Sequence, residues 1–284
     1  LSPMLIPKLI ANEAAGNISI ALNAKGPAHT VVTACASSTD ALGVALDMIR
    51  AGRADVVIAG GTEATVTEYC VGGFCSMKAL STKCNDTPEK ACRPFDADRD
   101  GFIMAEGSAV LILESEAHAK ARNARVYAEL AGYGASADAY HLTAPDPEAS
   151  GAIRAITLAL KDAGLEAQDV DYVNAHGTST LLNDAMETKA VKAVFGEHAY
   201  RLKMSSTKSM TGHMLGAAGA IEALICTLAI RDGFYPPTIN YTTPDPACDL
   251  NIVPNKGVQG PIRAAISTSL GFGGHNGVVA IKAV

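Results

Sequence analysis

The 284-residue sequence has no excess of positive charge, little charge overall and few aromatic residues: the net charge is −6, with 18% charged and 5% aromatic residues. The absence of excess basic residues argues against a general nucleic-acid binder, which usually carries a stripe of basic residues. The 26 glycines and 13 prolines follow no period, which excludes a collagen-like chain. The hydrophobic residues, 48% of the total, exclude a disordered chain and suffice for a sizeable buried core.

Long hydrophobic runs are also missing. The longest apolar helix candidate, Leu215 to Ile230, is interrupted by Glu222, which argues against a membrane span. Near the N-terminus, Pro3 and Pro7 interrupt a short apolar stretch, so no secretory signal is visible. We expect a cytoplasmic protein, although the sequence does not distinguish the cytoplasm from an organelle matrix.

Several binding signatures are absent. The seven cysteines are an odd number for a secreted disulfide framework, and the four at 70, 75, 84 and 92 lack the C-x2-C pairs of a structural zinc site. The glycine turn at 271–277 lacks the third glycine of a dinucleotide fingerprint and leads into a strand, and no P-loop is present. We therefore expect reduced thiols and no bound metal.

Strands and helices alternate along the chain, which predicts the α/β fold class. Short, apolar, β-branched segments are typical of buried strands. We predict strands at 29–34, 54–59, 110–113, 126–132, 170–175, 203–206, 264–269 and 277–282. Apolar residues at helical spacing predict helices through 42–49, 151–164 and 216–231.

The organisation of the chain follows from these elements. The strand, helix and strand within 29–59 predict a parallel βαβ unit, with Gly60 and Gly61 closing its second strand. Residues 70–108, rich in glycine, charge and turn residues, predict an irregular excursion over the surface. No linker divides the chain, and the softest boundary, near 116–125, predicts regions 1–124 and 125–284.

Cys35 is placed where a predicted strand turns into a helix. The helix dipole and unpaired N–H groups at such a position lower a thiol's pKa and favour the thiolate, and they can stabilise an oxyanion. A small buried hydrophobic residue is an equally good interpretation of the position alone.

Two histidines and a lysine are the other candidates. His176 follows a buried strand, where ligands collect in α/β folds, although a structural hydrogen bonder is the commoner role there. His213 follows Lys208 by five residues and precedes the small-residue run GAAG at 216–219. Lys208 could pair with Glu222 or be a solvated surface lysine. A cysteine, two histidines and a lysine suit acyl transfer through a thioester.

Four strings in fixed order carry a family resemblance: TACASS at 33–38, NAHGTST at 174–180, STKSMTGHMLGAAG at 206–219 and GFGG at 271–274. They resemble the β-ketoacyl-[acyl-carrier-protein] synthases of the thiolase-like condensing enzymes, and the synthase II type among them. RPFD at 93–96 and RDGF at 99–102 extend the likeness over essentially the whole chain. It implies a layered α-β-α-β-α fold of two related halves, with the first half incomplete because the family carries a further N-terminal stretch.

The resemblance also implies roles for individual residues. Cys35 matches the acylated nucleophile, His176 and His213 match the pair that bonds the malonyl thioester carbonyl, and Phe272 matches a gate. Lys208 matches the lysine that organises the site. The backbone N–H groups of Cys35 and Phe272 match the oxyanion hole. The implied substrate contacts are Phe74, Thr143, Thr178, Thr180 and the carrier-docking Lys78, and the implied supporting positions are Glu222, Gly271, Gly273, Gly274 and Asn276.

The implied reaction is a decarboxylating condensation of malonyl-carrier protein with an enzyme-bound acyl group in fatty-acid synthesis. Phosphopantetheine would arrive on the acyl carrier protein, so no resident cofactor or metal is expected. A homodimer is expected by resemblance, with the segment before Cys35 as a candidate contact. LLN at 181–183 and His275 depart from the sequence pattern of the family, and these departures bear on substrate selection.

Three alternatives stay open at this point. A ketosynthase domain of a polyketide synthase would share the same constellation of residues. A thioester hydrolase of the Cys-His type would release the acyl group to water. An inactive fragment or non-catalytic binding partner would keep the residues without the reaction.

Overall fold

The computed structural model describes Ser2 to Val284 and is of the α/β class. Its α-helices are α1 Leu5–Leu9, α2 Glu13–Leu22, α3 Ser37–Arg50, α4 Glu68–Ser76, α5 Glu116–Ala121, α6 Ser150–Ala163, α7 Leu181–Phe195, α8 Lys208–Thr211 and α9 Ala218–Asp232. Its strands are β1 Val56–Glu63, β2 Gly107–Glu114, β3 Glu129–Ala137, β4 Tyr172–Asn174, β5 Lys203–Ser205, β6 Phe234–Tyr235, β7 Val258–Gln259, β8 Ala264–Gly271 and β9 His275–Lys282. No helix among these residues is both long and apolar enough to cross a membrane.

A five-stranded sheet in the order β3-β9-β8-β4-β5 forms the centre of the molecule. β4 pairs in parallel with β5 and β8, while β9 pairs antiparallel with β3 and β8. On one face, Ile156 of α6 and Val191 of α7 join a core with Ile266 of the sheet. On the other, Leu42 of α3 and Ala223 of α9 join a second core with sheet residues. Helices therefore cover both faces of this sheet.

A smaller sheet, β1 paired antiparallel with β2, precedes the large one in the chain. The predicted parallel βαβ unit is therefore wrong. Residues 29–34 form no strand and are mostly exposed, because this segment has no neighbouring strand to pair with among residues 2–284. Gly60 and Gly61 do not close β1 but lie within it. A Cβ on Gly60 would be 2.1 Å from the carbonyl oxygen of Ala109, so the glycine permits close packing.

Most other predicted elements are confirmed, with shifts of a few residues at their ends. The surface excursion at 70–108 is only partly correct, since it contains most of α4 and several fully buried side chains. Phe95 is 0% exposed and Arg99 is 2% exposed. The guanidinium of Arg99 donates to the carbonyl oxygens of Thr180 and Leu181 and pairs with Asp245 at 2.6 Å. The charged RDGF segment thus faces inward, because its arginine is paired there.

Helix α3 lies in the first region of the chain but is bonded to the large sheet. The Thr39 and Ser269 hydroxyls are 2.7 Å apart, and the Tyr133 hydroxyl donates to Asp40 at 2.9 Å. Arg50, at the end of the helix, donates to the carbonyl oxygen of Ala131 at 2.5 Å. These contacts place the N-terminus of α3 at the end of the sheet where the candidate histidines are found.

Candidate active site

Cys35 lies in the short 3₁₀ turn Ala34–Ala36 that leads into α3. The turn is tight: Ala34 has a φ of +52°, and the Ser37 hydroxyl accepts from the N–H of Thr33 at 2.9 Å while donating to the carbonyl oxygen of Ala34 at 2.7 Å. Cys35 is 9% exposed, and its Sγ is 3.2 Å from Nε2 of His213. The predicted nucleophile and one predicted histidine are therefore in direct contact.

The expectation of a lowered pKa at Cys35 is wrong. Burial raises the pKa of the thiol to about 11, and the Glu63 carboxylate adds to that effect. The Lys208 ammonium and the backbone N–H groups of Phe272 and Cys35, which donate toward the sulfur, oppose it without cancelling it. Dehydration of the charged form outweighs the helix terminus, so the resting sulfur is a thiol at neutral pH.

His176 follows the end of β4 after one intervening residue, close to the predicted position, and its backbone is held firmly. Its N–H donates to Glu187 Oε1 at 2.7 Å and to the Thr268 hydroxyl at 3.1 Å. The next N–H, of Gly177, donates to Glu187 Oε2 at 2.8 Å. The Nδ1 atom of His176 lies 3.4 Å from Lys208 Nζ. An ammonium beside Nδ1 makes that nitrogen the acceptor and leaves the proton on Nε2.

His213 reaches the site on the loop between α8 and α9. Its N–H donates to the carbonyl oxygen of Ile103 at 2.7 Å, and its carbonyl oxygen accepts from the N–H of Ala105 at 3.0 Å. The ring stands edge-on to Phe102 and to His176, with centroid separations of 5.5 and 5.2 Å. Its Nδ1 has no hydrogen-bond partner among residues 2–284, so both neutral tautomers are available to it.

Lys208 is buried, 1% exposed, and forms an ion pair with the equally buried Glu222. The alternative of a solvated surface lysine is therefore wrong. Burial and the charge of Lys208 hold the pKa values of His176 and His213 well below their usual range, so both imidazoles are neutral. Burial also raises the pKa of Glu222 to about 7, against the opposing effect of Lys208.

The glycine turn at 271–274 connects β8 to β9 and closes over the cysteine. A Cβ on Gly271 would be 2.9 Å from the carbonyl oxygen of Thr33, so only glycine fits there. Gly273 and Gly274 have φ values of +86° and +74°, a region that favours glycine. Asn276 donates to the carbonyl oxygen of Gly274 at 3.1 Å and to Asp138 at 2.7 Å. Phe272 thus lies at the tip of the turn between Gly271 and Gly273, and the strands on either side of the turn are held in the sheet.

A cavity of about 710 Å³ opens at Cys35 and is lined by Phe272 and by all five predicted substrate contacts. Thr178 and Thr180 share a hydrogen bond of 2.9 Å, while Lys78 and Thr143 are exposed. Phe74 lies edge-on to Phe102, with 5.1 Å between ring centroids. Lys208, Glu222 and Gly273 do not line the cavity. Leu181 and Leu182, which depart from the family's sequence pattern, do line it.

The sulfur of Cys35 and ring nitrogens of His176 and His213 lie within 4.8 Å of one another. Thiolate and imidazole are also ligands that zinc accepts. However, the ammonium of Lys208 lies 3.4 Å from His176, and its charge opposes a divalent cation. The arrangement suits neutral hydrogen-bond donors facing a carbonyl better than it suits metal ligands.

Three neighbours of the site were not predicted from the sequence: Glu63, Phe102 and Glu187. Glu63 ends β1 and lines the cavity. A search for polar residues at the ends of strands, which selects His176, would also have selected Glu63. Glu187 lies eleven positions after His176 and is 1% exposed. No local pattern reveals its contact with the backbone of His176, because the turn between them brings the two together.

Comparisons with known proteins identify the family. The family model described as beta-ketoacyl synthase, N-terminal domain, matches residues 1–119, and that for the C-terminal domain matches residues 127–242. The chain belongs to the β-ketoacyl synthase family. It is 53% identical over 282 residues to 3-oxoacyl-[acyl-carrier-protein] synthase 2 of Staphylococcus aureus, which covers 99% of this chain and 70% of that relative. The corresponding protein of Coxiella burnetii is 52% identical over 284 residues, covering 100% of this chain and 68% of the relative.

Solved structures agree with the family and extend the likeness to the fold. A beta-ketoacyl synthase from Burkholderia phymatum superposes with a TM-score of 0.95 at 38% identity, covering 100% of this chain and 68% of that one. A ketosynthase solved with its type II PKS acyl-carrier protein superposes with a TM-score of 0.98 at 42% identity, over 100% and 70% of the two chains. The fold is therefore that of the thiolase-like ketosynthases.

Proposed function

We propose that this chain catalyses the decarboxylating condensation of malonyl-[acyl-carrier protein] with an acyl group held on Cys35, and so elongates fatty acids. The observation that carries the proposal is the contact of 3.2 Å between Cys35 Sγ and His213 Nε2, with two backbone N–H groups aimed at the same sulfur. The relatives named 3-oxoacyl-[acyl-carrier-protein] synthase 2 support the same reaction.

In the first half-reaction, the Cys35 sulfur attacks the thioester carbonyl of an acyl group on its carrier. Because the resting group is a thiol, its proton has to leave as the new carbon–sulfur bond forms, and His213 Nε2 is the nearest acceptor. The proton then passes to the departing carrier thiolate, which balances the exchange. The N–H groups of Cys35 and Phe272 are placed to stabilise the oxyanion of the tetrahedral intermediate.

In the second half-reaction, the malonyl carboxylate leaves as carbon dioxide, and the carbanion attacks the thioester carbon on Cys35. The carbon–sulfur bond breaks, and the sulfur takes up one proton from solvent to restore the thiol. Neutral imidazoles at His176 and His213 donate hydrogen bonds to the developing enolate oxygen without protonating the carbanion. Lys208 supports this step by fixing the proton of His176 on Nε2.

The cavity supports the proposed substrate contacts. Thr178, Thr180 and Thr143 offer hydroxyls to a pantetheine arm, and His141 Nδ1 orders the Thr143 loop by accepting the N–H groups of Thr143 and Ala144 at 3.1 Å. Phe74 forms an apolar wall for the acyl chain, and Phe272 gates it. Lys78, exposed at the cavity, suits an acidic carrier protein. No resident cofactor is required, since phosphopantetheine arrives on the carrier.

The test is acylation followed by condensation. The protein is incubated with an acyl carrier protein loaded with an acyl group, and its intact mass is measured. Malonyl carrier protein is then added, and carbon dioxide and ketoacyl product are measured. We expect an acyl mass on Cys35 that disappears as both products form. A chain that gains no adduct at Cys35 contradicts the proposal.

The second candidate is a polyketide ketosynthase, which is favoured by the 42% identity to a ketosynthase described as bound to the hexaketide and in complex with its type II PKS acyl-carrier protein. The higher identity, 53%, to 3-oxoacyl-[acyl-carrier-protein] synthase 2 of Staphylococcus aureus argues for the first candidate. Condensation that continues on an unreduced ketoacyl product, without an intervening reduction, would favour the second. An adduct lost to water without malonyl carrier protein would indicate a hydrolase. The homodimer and the cytoplasmic location stay predictions.

A further inference from the structure

Glu63 places a carboxylate in a cavity whose other walls are largely apolar. It is the last residue of β1, it is partly buried, and it lines the cavity with Cys35 and with apolar side chains such as Phe74 and Leu270. A carboxylate beside an apolar acyl chain is costly to dehydrate. Its position next to the nucleophile therefore calls for a specific role.

The carboxylate has one hydrogen bond among residues 2–284, and that bond goes to the histidine loop. Glu63 Oε2 accepts the N–H of Gly216 at 3.0 Å. Gly216 belongs to the turn Leu215–Ala217, which connects His213 to α9. A Cβ on Gly216 would lie 3.2 Å from Glu63 Oε2 and 3.7 Å from the carbonyl oxygen of Ala34. Gly216 is therefore packed between Glu63 and the turn of the nucleophile.

The same loop rests on the ends of the small sheet at two further points. A Cβ on Gly61 would be 2.9 Å from the carbonyl oxygen of Gly216, and a Cβ on Gly107 would be 2.7 Å from Met214 Sδ. On the other side, the backbone of His213 is bonded to Ile103 and Ala105. His213 is thus anchored before the loop by a backbone pair and after it by the carboxylate of Glu63.

We propose that Glu63 is a positioning residue for the condensation: by holding the N–H of Gly216, it keeps the His213 loop against the turn that carries Cys35. This inference rests on the proposed function and adds to it a contact between the two regions of the chain. The hydrogen bond fixes the backbone three residues beyond His213. Without it, the loop loses its hydrogen bond on the far side of His213, and the imidazole is less well aligned with the reacting carbonyl.

The charge of Glu63 has a second, separable effect. The groups that face the Cys35 thiol are Lys208, Glu63, His176 and His213, and of these Glu63 alone raises the pKa of the thiol. Glutamine at this position keeps an oxygen that can accept the N–H of Gly216 but removes the charge. Alanine removes both. Comparing the two variants separates positioning from electrostatics.

The experiment compares Glu63→Gln and Glu63→Ala with wild type and with Glu68→Ala, a control at an exposed glutamate on the neighbouring α4. Alkylation of Cys35 by iodoacetamide is followed against pH, amide hydrogen exchange is followed at Gly216, and single-turnover condensation is measured. We expect both Glu63 variants to shift the alkylation profile to lower pH. We expect only Glu63→Ala to speed exchange at Gly216 and to slow condensation, by about tenfold for one lost hydrogen bond.

A double-mutant cycle then tests whether the effect passes through His213. In a His213→Ala background, Glu63→Ala should cost no further condensation activity. Equal condensation rates in Glu63→Gln and Glu63→Ala, or a full additional loss in the His213→Ala background, would overturn the proposal. If the wild-type chain forms no ketoacyl product, the proposed function fails. Gly216 exchange and the alkylation profile then still decide whether Glu63 holds the loop beside Cys35.

Discussion

The region before residue 125 and the region after it use their strands differently. In the second region, β8 and β9 each bury six of their eight residues. In the first region, β1 buries one of eight, and its partner β2 also buries one. The second region has a sheet covered by helices on both faces, while the first contributes a two-stranded sheet and the turn that carries Cys35. The rigid framework and the nucleophile therefore come from different parts of the chain.

Helix α3 connects the nucleophile of the first region to the sheet of the second. By sequence it belongs to the first region, but its hydroxyl and carboxylate side chains bond to β3 and β8. The nucleophile is consequently held by the same sheet that carries His176 and Phe272. Sequence order alone would assign the cysteine to a domain of its own, whereas its contacts assign it to the central sheet.

The largest effect is expected when the nucleophile supplied by the first region is removed. Cys35→Ala deletes the atom that forms the acyl bond, and we expect condensation to fall by about 10⁴-fold or more. Intact mass after incubation with acyl carrier protein should give no adduct. Cys75→Ala, at an exposed cysteine, is the matched control and should react as wild type. Full activity in Cys35→Ala would refute the assignment.

Breaking the buried ion pair of the second region should cost the most stability. Lys208→Met leaves Glu222 buried without its partner, and we expect a loss of about 3–5 kcal/mol in the free energy of unfolding. Urea denaturation measures it. Lys189→Met is the control, because its pair with Glu148 is exposed and worth about 0–1 kcal/mol. Equal losses in the two variants would mean that Lys208 does not neutralise Glu222.

Removing one histidine should separate the two half-reactions. His213→Ala loses a hydrogen-bond donor to the enolate, so we expect condensation to slow by about 10²-fold or more. Acylation should also slow, because His213 Nε2 accepts the proton of Cys35, but by a smaller factor than condensation, since water can take that proton whereas nothing replaces the lost donor to the enolate. Rapid-quench measurement of acyl-enzyme formation and product formation gives both rates, with the exposed His29→Ala as control. A variant that loses acylation and condensation equally would contradict separate roles.

The neutral histidines should make the stability of the fold depend on pH. The pKa of His213 is lowered in the folded chain, whereas the unfolded value is about 6.5. Below pH 6.5 the unfolded chain therefore binds a proton that the folded chain does not, and stability falls as the pH falls. For one histidine the slope approaches about 1.4 kcal/mol per pH unit. Urea unfolding at pH 7.5, 6 and 5 should give His213→Ala a flatter profile than wild type by this amount. Parallel profiles would contradict a buried neutral imidazole.

The smallest effect tests how α3 is attached to the second region. Tyr133→Phe removes the hydroxyl that donates to Asp40, and we expect a loss of about 1 kcal/mol in the free energy of unfolding. Tyr69→Phe, at a tyrosine that is 91% exposed, is the control and should change nothing measurable. A Tyr133→Phe variant as stable as the control would indicate that packing alone holds α3.

The sequence predicts the second region better than the first. Segments such as 151–164 and 264–269 carry their own periodicity, and the structure places a helix and a strand there. Residues 29–34 carry an equally good strand pattern, yet a strand also requires a neighbour with which to pair its backbone, and none is present among residues 2–284. A local pattern reports the propensity of a segment and not its partners.

Some features of the candidate site can likewise be predicted from the sequence, and others cannot. The resemblance carried by the strings around Cys35, His176 and His213 singles out three residues that lie together in the structure. Strand ends alone do not explain this, since residues 29–34 form no strand and His213 lies in the loop after α8. Two features depend on distant contacts and could not be predicted. One is the raised pKa of Cys35, since burial is a property of the whole fold. The other is the contact of Glu63 with Gly216, which joins residues 153 positions apart.

The sheet order has a consequence for the synthesis of the chain. β9 follows the other four strands of this sheet in the chain, yet it lies between β3 and β8. A chain growing on a ribosome therefore cannot close this sheet until β9 has been added and has left the exit tunnel. Until then, α3 lacks the completed sheet to which its side chains bond, although Cys35 has already been synthesised. The reactive centre is thus completed well after its nucleophile has been made, since β9 begins 240 residues after Cys35.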